Sequence, residues 1–157
     1  MSAKARFLQK LQDQQPRSAT FDTKAEADIA AFRQRITQLH ESMDEWLTGT
    51  EIGTEATTAT LIEFLIGGSA FSVPGITLHY GQRSIRFTPI FLYGQGVTGC
   101  IEVCLAADSK ISSLYRLFMR SGEQDNWTWC PTGMQNGNPA RFDEEVFFTM
   151  IAPLLPE

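Results

Sequence analysis

The one literal chemical motif in this chain is Gly94-Gln95-Gly96-Val97-Thr98-Gly99, a G-x-G-x-x-G. In a dinucleotide site such a loop follows a strand and opens a helix whose N-terminus holds the pyrophosphate. Here the next residues, Cys100-Ile101-Glu102-Val103-Cys104-Leu105, alternate apolar and polar as a strand does. Glu102 also comes far too early to serve as a ribose ligand, which sits ~20 residues further on. A glycine-rich loop between two strands is the protein-kinase arrangement, but the chain has neither His-Arg-Asp nor Asp-Phe-Gly. The glycines therefore read as positive-φ positions in a wide hairpin loop, and no cofactor is expected.

A second set of reactive side chains lies on either side of that loop. By the parity of a strand, Thr77, His79, Ser84, Arg86 and Thr88 share one face, and Cys100, Glu102 and Cys104 share another. Pairing Ile85 with Val103 and Phe87 with Ile101 would set Arg86 opposite Glu102. His79 with Cys100 suggests a cysteine–histidine nucleophile, which needs the two within hydrogen-bond reach. No third orienting group stands near them in the pattern, and an uncovered sheet face with a cross-strand ion pair explains the same residues. On a strand, Cys100 and Cys104 would be ~13 Å apart, too far for one metal or a disulfide. His40 stands among Glu41, Asp44 and Glu45 on a solvated helix face, so no metal is expected. Trp127 and Trp129 point the same way on a strand, with Tyr115 available to join them. They are core residues or, if partly exposed, binding anchors.

Periodicity supplies the scaffold for these side chains. Ile76 to Tyr80 and Arg83 to Thr88 alternate around Gly81-Gln82, the signal for a two-residue hairpin. That loop pairs Tyr80 with Arg83, His79 with Ser84, Leu78 with Ile85, Thr77 with Arg86 and Ile76 with Phe87. Before the hairpin, Ala25, Ile29, Phe32, Ile36, Leu39, Met43 and Trp46 recur at spacings of four and three, predicting a long helix from about Thr23 to Leu47. A short helix is expected over Lys4 to Gln14, ended by Pro16. Thr48 to Thr60 reads as a loop, and Leu61 to Ile66 as a buried strand closed by Gly67-Gly68. Ile111 to Arg120 fits helix or strand, and the hairpin it would form with Trp127-Thr128-Trp129 through the polar loop Ser121 to Asn126 favours strand. Pro131 to Pro139 reads as loop, and a helix from about Asp143 to Leu154 closes the chain. The fold expected is α+β, an antiparallel meander of five to six strands with a long N-terminal helix and a C-terminal helix packed on one face. Residues 1–157 form one domain in this reading, with residues 1–20 a loosely packed N-terminal helix.

Composition narrows the functional classes. With 157 residues, 43% hydrophobic and 20% charged, the chain can bury a core without disulfides or metals. A net charge of −5 makes a nucleic-acid backbone a poor partner and suits a basic protein surface. No apolar run approaches the ~20 residues that span a bilayer, and three cysteines without a secretory leader fit a reducing cytoplasm. Between Phe64 and Ile101 the only charges are Arg83 and Arg86, as in a sheet that is buried or offers a neutral face. The expected function is a non-enzymatic protein-binding module of the immunity or inhibitor type, a monomer or homodimer. Its expected partner-binding residues are Arg86, Glu102, His79, Trp127 and Trp129. The alternatives are a homodimeric secretion-type chaperone, a small enzyme or toxin domain using His79, Arg86, Glu102 or Cys100, and a small-ligand or nucleotide binder through the glycine loop. Size and acidity are those of small bacterial immunity proteins, but no motif carries a family resemblance.

Overall fold

The computed structural model describes residues 2–13, 16–63, 70–94, 97–120, 127–132 and 140–155. Phe64 to Ile66 of the expected buried strand with its glycine stop at Gly67-Gly68, the loop Ser121 to Asn126, most of the loop after Pro131 and the middle of the glycine motif, Gln95-Gly96, lie outside them.

Two helices come first, α1 (Ala3–Asp13) and α2 (Pro16–Trp46). Seven strands come next: β1 (Gly53–Ile62), β2 (Ala70–Tyr80), β3 (Arg83–Gly94), β4 (Val97–Ala107), β5 (Lys110–Arg120), β6 (Trp127–Pro131) and β7 (Ala140–Arg141). Helix α3 (Glu144–Ile151) runs into a short 3-10 turn. The strands form one antiparallel sheet in chain order, from β1 at one edge to β7 at the other. The architecture is the expected α+β meander, with seven strands.

Helix α2 begins earlier than its apolar stripe, because Pro16 at the first helical position fits where no N–H partner is needed. Its stripe is the core's spine: Ala25, Ile29, Phe32, Ile36, Leu39, Met43 and Leu47 are all buried, while Trp46 is half-buried. The stripe lies against Ile76, Leu78, Ile85, Phe87, Leu92, Ile101 and Val103, alternate residues on one face of β2, β3 and β4. Helix α3 closes the same layer. Asp143 caps it by accepting from the Val146 N–H at 2.9 Å, and Phe147 packs on Trp46 at 5.1 Å between ring centroids.

Several features of the sheet depart from a plain alternation, among them register shifts between β4 and β5 at Val97/Cys100 and Val103/Cys104. Val73 and Ile76 both face the core although three residues apart, so β2 switches faces at Pro74-Gly75, and β1 switches with it at Thr57-Thr58. A one-residue shift between Pro89 and Phe91 bends β3 against β4. The β4–β5 turn puts Asp108 and Ser109 at φ 52° and 66°, a two-residue turn with no glycine.

The β2–β3 hairpin has the expected register at all five pairs, with Gly81 at φ 59°. Ile111 to Arg120 is strand, within β5. Two expectations are corrected. Thr48 to Thr60 is not all loop: Gly53 onwards is β1, whose threonines suit a pleated edge but show no apolar alternation. Arg86 does not face Glu102. Strand β3 reaches to Gly94 and β4 starts at Val97, and with the one-residue shift between Pro89 and Phe91 the register differs by two from the expected one. Arg86 pairs with Cys104, Phe87 with Val103 and Thr88 with Glu102. A shift of two preserves which face each side chain occupies but changes its neighbour.

Candidate docking face

The glycine motif is structural. Tyr93 pairs with Thr98 and Gly94 with Val97, so β4 starts directly and no helix opens there. Gly99 sits at φ 128°, and a Cβ built on it would stand 2.6 Å from the Phe32 ring. The third glycine lets α2 settle on the sheet.

Among the described residues no helix covers the other face of the sheet, although Cys100 and Thr128 on it are buried. Across β3 to β6 this open face carries three rows: Arg86, Cys104 and Ser113; Thr88, Glu102, Arg116 and Cys130; Phe91, Cys100, Phe118 and Thr128. Arg86 and Thr88 are exposed, whereas Glu102, Arg116, Phe91 and Phe118 are half-buried. Arg116 meets Glu102 with Nη2 3.8 Å from Oε2, and the Cys104 thiol donates to Glu102 Oε1 at 3.3 Å. The partner of Glu102 is thus Arg116, two strands from Arg86.

The thiols on this face are held protonated. Burial pushes Cys100 up to about 12, against a downward pull from Arg116. Burial, then the bond to Glu102, pushes Cys104 up to about 11, and burial also raises Cys130. A thiol that keeps its proton at neutral pH is a weak nucleophile. His79 does not reach them. It lies on β2, two strands from Cys104 and so ~10 Å away, and its Nε2 is 2.9 Å from Glu55 Oε2 on β1. Cysteine, histidine and arginine do not converge.

Trp127 and Trp129 lie on the opposite, helix-covered side. Trp127 is core, packed near Phe32, with the Arg35 guanidinium 5.7 Å from its ring centroid. Trp129 is half-buried and meets Tyr115 edge-on at 5.5 Å. A cleft of about 340 Å³ opens beside Trp127, lined also by Arg35, Trp46, Arg141 and Phe142 among others. Asp143 at its rim is engaged in capping α3. Of the five expected partner-binding residues, Arg86, Glu102 and His79 lie on the open face, His79 towards the β1 edge, while the tryptophans lie on the covered side.

A further cluster joins His40 and Asp44, expected on a solvated helix face, to a threonine with no sequence signal; His40 is half-buried there. Thr54 on β1 hydrogen-bonds to Asp44 on α2 and lies 3.2 Å from His40 Nε2, with His40 and Asp44 3.7 Å apart. These are the residue types of a nucleophile triad, but Asp44 and Thr54 meet the same imidazole nitrogen and each other. No relay from acid to base to hydroxyl exists, and the cluster clasps β1 to α2. It joins a helix to a strand without apolar alternation, so no periodicity points to it.

Among the described residues, no group of three or more His, Cys, Asp or Glu is placed to hold a metal ion. Nor is any described helix long and apolar enough to cross a membrane. Compared with known proteins, the chain matches no family model, no curated protein and no solved structure.

Proposed function

We propose that the chain is a non-enzymatic protein-binding module, of the immunity or inhibitor type, working in the cytoplasm on one protein partner. The observation that carries this reading is the open face of the sheet. There the half-buried Phe91 and Phe118 lie in the row beside the Glu102–Arg116 pair, with exposed Thr88 and Arg86 at the margin. An apolar patch rimmed by polar and charged groups is the composition of a protein interface. The protonated thiols and the separation of His79 from them weigh against a nucleophilic enzyme.

The test compares the full chain with Thr88→Arg in pull-downs from the organism of origin, with melting curves run in parallel. One stoichiometric partner is expected with the native chain, and its loss with Thr88→Arg at unchanged melting temperature. A partner retained by Thr88→Arg would overturn the assignment to this face. Turnover of a substrate by the purified chain would overturn the module itself.

A further inference from the structure

The two edges of the sheet differ. The β7 edge is two residues long; the β1 edge is ten. Strand β1 pairs with β2 along its whole length, and among the described residues no strand lies on its other side. Among the described residues, no hydrogen bond outside that ladder reaches the backbone of 53–62. A long free edge invites pairing, and natural sheets blunt it with proline, lysine or a cover. Between Gly53 and Ile62 there is no proline and no lysine, and Thr57, Thr58 and Thr60 are exposed. The face switch at Thr57-Thr58 divides the edge into two runs of five, each an ordinary strand length.

Charge selects what could pair there. Between Arg35 and Arg83 the sequence contains no lysine or arginine, but it contains Glu41, Asp44, Glu45, Glu51, Glu55 and Glu63. Glu51 precedes β1, Glu55 lies within it beside His79, and Glu63 comes just after it, its carboxylate accepting from the Tyr93 N–H at 3.4 Å. Glu41, Asp44 and Glu45 occupy the end of α2 that Thr54 ties to β1, where the helix dipole adds further negative potential. Two copies of this edge would bring acidic residues against acidic residues. A strand bearing lysine or arginine would meet opposite charge at Glu51 and Glu55, along the first half of the edge. Ile62, 61% exposed, offers an apolar contact at the far end.

We infer that the free edge of β1 accepts an extended basic segment of a partner protein, which joins the sheet as an added strand. This rests on the protein-binding reading and supplies the partner's chemistry: main-chain hydrogen bonds give affinity, and the glutamates select cationic side chains.

The probe is a fluorescein-labelled decapeptide, Lys-Thr-Val-Lys-Thr-Val-Lys-Thr-Val-Lys, titrated into the full chain by anisotropy, with amide hydrogen exchange read by mass spectrometry. The expected result is binding at least tenfold tighter than that of the same peptide with glutamate for lysine, with slowed exchange at 53–62. Methylating alternate peptide nitrogens should abolish it. Glu51→Lys with Glu55→Lys should weaken it at least fivefold, whereas Thr88→Arg on the open face should leave it unchanged. The inference is overturned by absence of lysine-peptide binding, by protection elsewhere, or by equal binding of the glutamate peptide. It is also overturned if the chain alone dimerises in sedimentation with β1 protected. Any of these with a host partner still lost on Thr88→Arg sinks strand addition alone; edge binding together with a host partner indifferent to Thr88→Arg sinks the open-face assignment alone.

Discussion

Along β4, Ile101 and Val103 point into the layer beneath α2, while Cys100, Glu102 and Cys104 point the other way. The inward pair contributes apolar area to an apolar layer. The outward set contains a carboxylate, two protonated thiols and a cross-strand arginine beside two phenyl rings. One backbone therefore carries two surfaces, since successive side chains in a strand face opposite ways. The covered surface makes the fold; the open one is where partner binding is proposed. Their sensitivity to substitution should differ accordingly.

The largest effect belongs to the covered side. Phe32→Ala should cost about 3–5 kcal/mol in urea unfolding, because a fully buried ring leaves a cavity between α2 and Gly99. Phe118→Ala on the open side should lose clearly less, and equal losses would break the comparison. Gly99→Ala should cost about 1–3 kcal/mol for its φ of 128° alone, plus the collision with Phe32. A double-mutant cycle with Phe32→Leu should recover the second part, and strict additivity would deny the contact.

Alkaline pH probes the one open-side cysteine that is fully buried. The folded Cys100 thiol keeps its proton above the unfolded thiol's value of 9.0, so the native state binds more protons there. Stability should hold below pH 9 and fall as pH rises towards about 12; Cys104 shifts the same way, as does Tyr93 through burial and its bond to Asp28. Urea midpoints at several pH values check this, and Cys100→Ala should flatten the decline. At the tip of the β4–β5 hairpin, where both faces end, Ser109→Gly should stabilise by about 1 kcal/mol by relieving φ 66°. The smallest effect is expected at Glu102→Gln, within about 1 kcal/mol by thermal melting, since the pair with Arg116 is long and partly exposed.

What could be read from the sequence was whatever depended on near neighbours. The stripe from Ala25 to Met43 marked the long helix, and Gly81-Gln82 set a complete register, because a two-residue turn leaves a hairpin no freedom. Phe142, Phe147, Met150 and Ile151 likewise marked the closing helix by spacing. Strand β1 escaped because an edge strand buries little, so its threonines carry no apolar alternation to read. The partner of Glu102 escaped because the register shift between Val103 and Cys104 on the β4–β5 ladder brings Arg116 opposite it, and such a shift does not show in a period of two.

The same division holds for the glycine motif and the candidate site. Local pattern was enough to show that Gly94 to Gly99 joins two strands rather than a strand and a helix, since Cys100 to Leu105 alternate. The folded chain was needed to show that Gly99 makes room for Phe32, a residue 67 positions earlier on α2. Sequence placed Arg86 and Glu102 on one face by parity; the fold assigned Glu102 to Arg116 and His79 to Glu55. Parity is a property of one strand, whereas an ion pair needs two strands in register, and register across a bulge is set by the packing of the whole sheet.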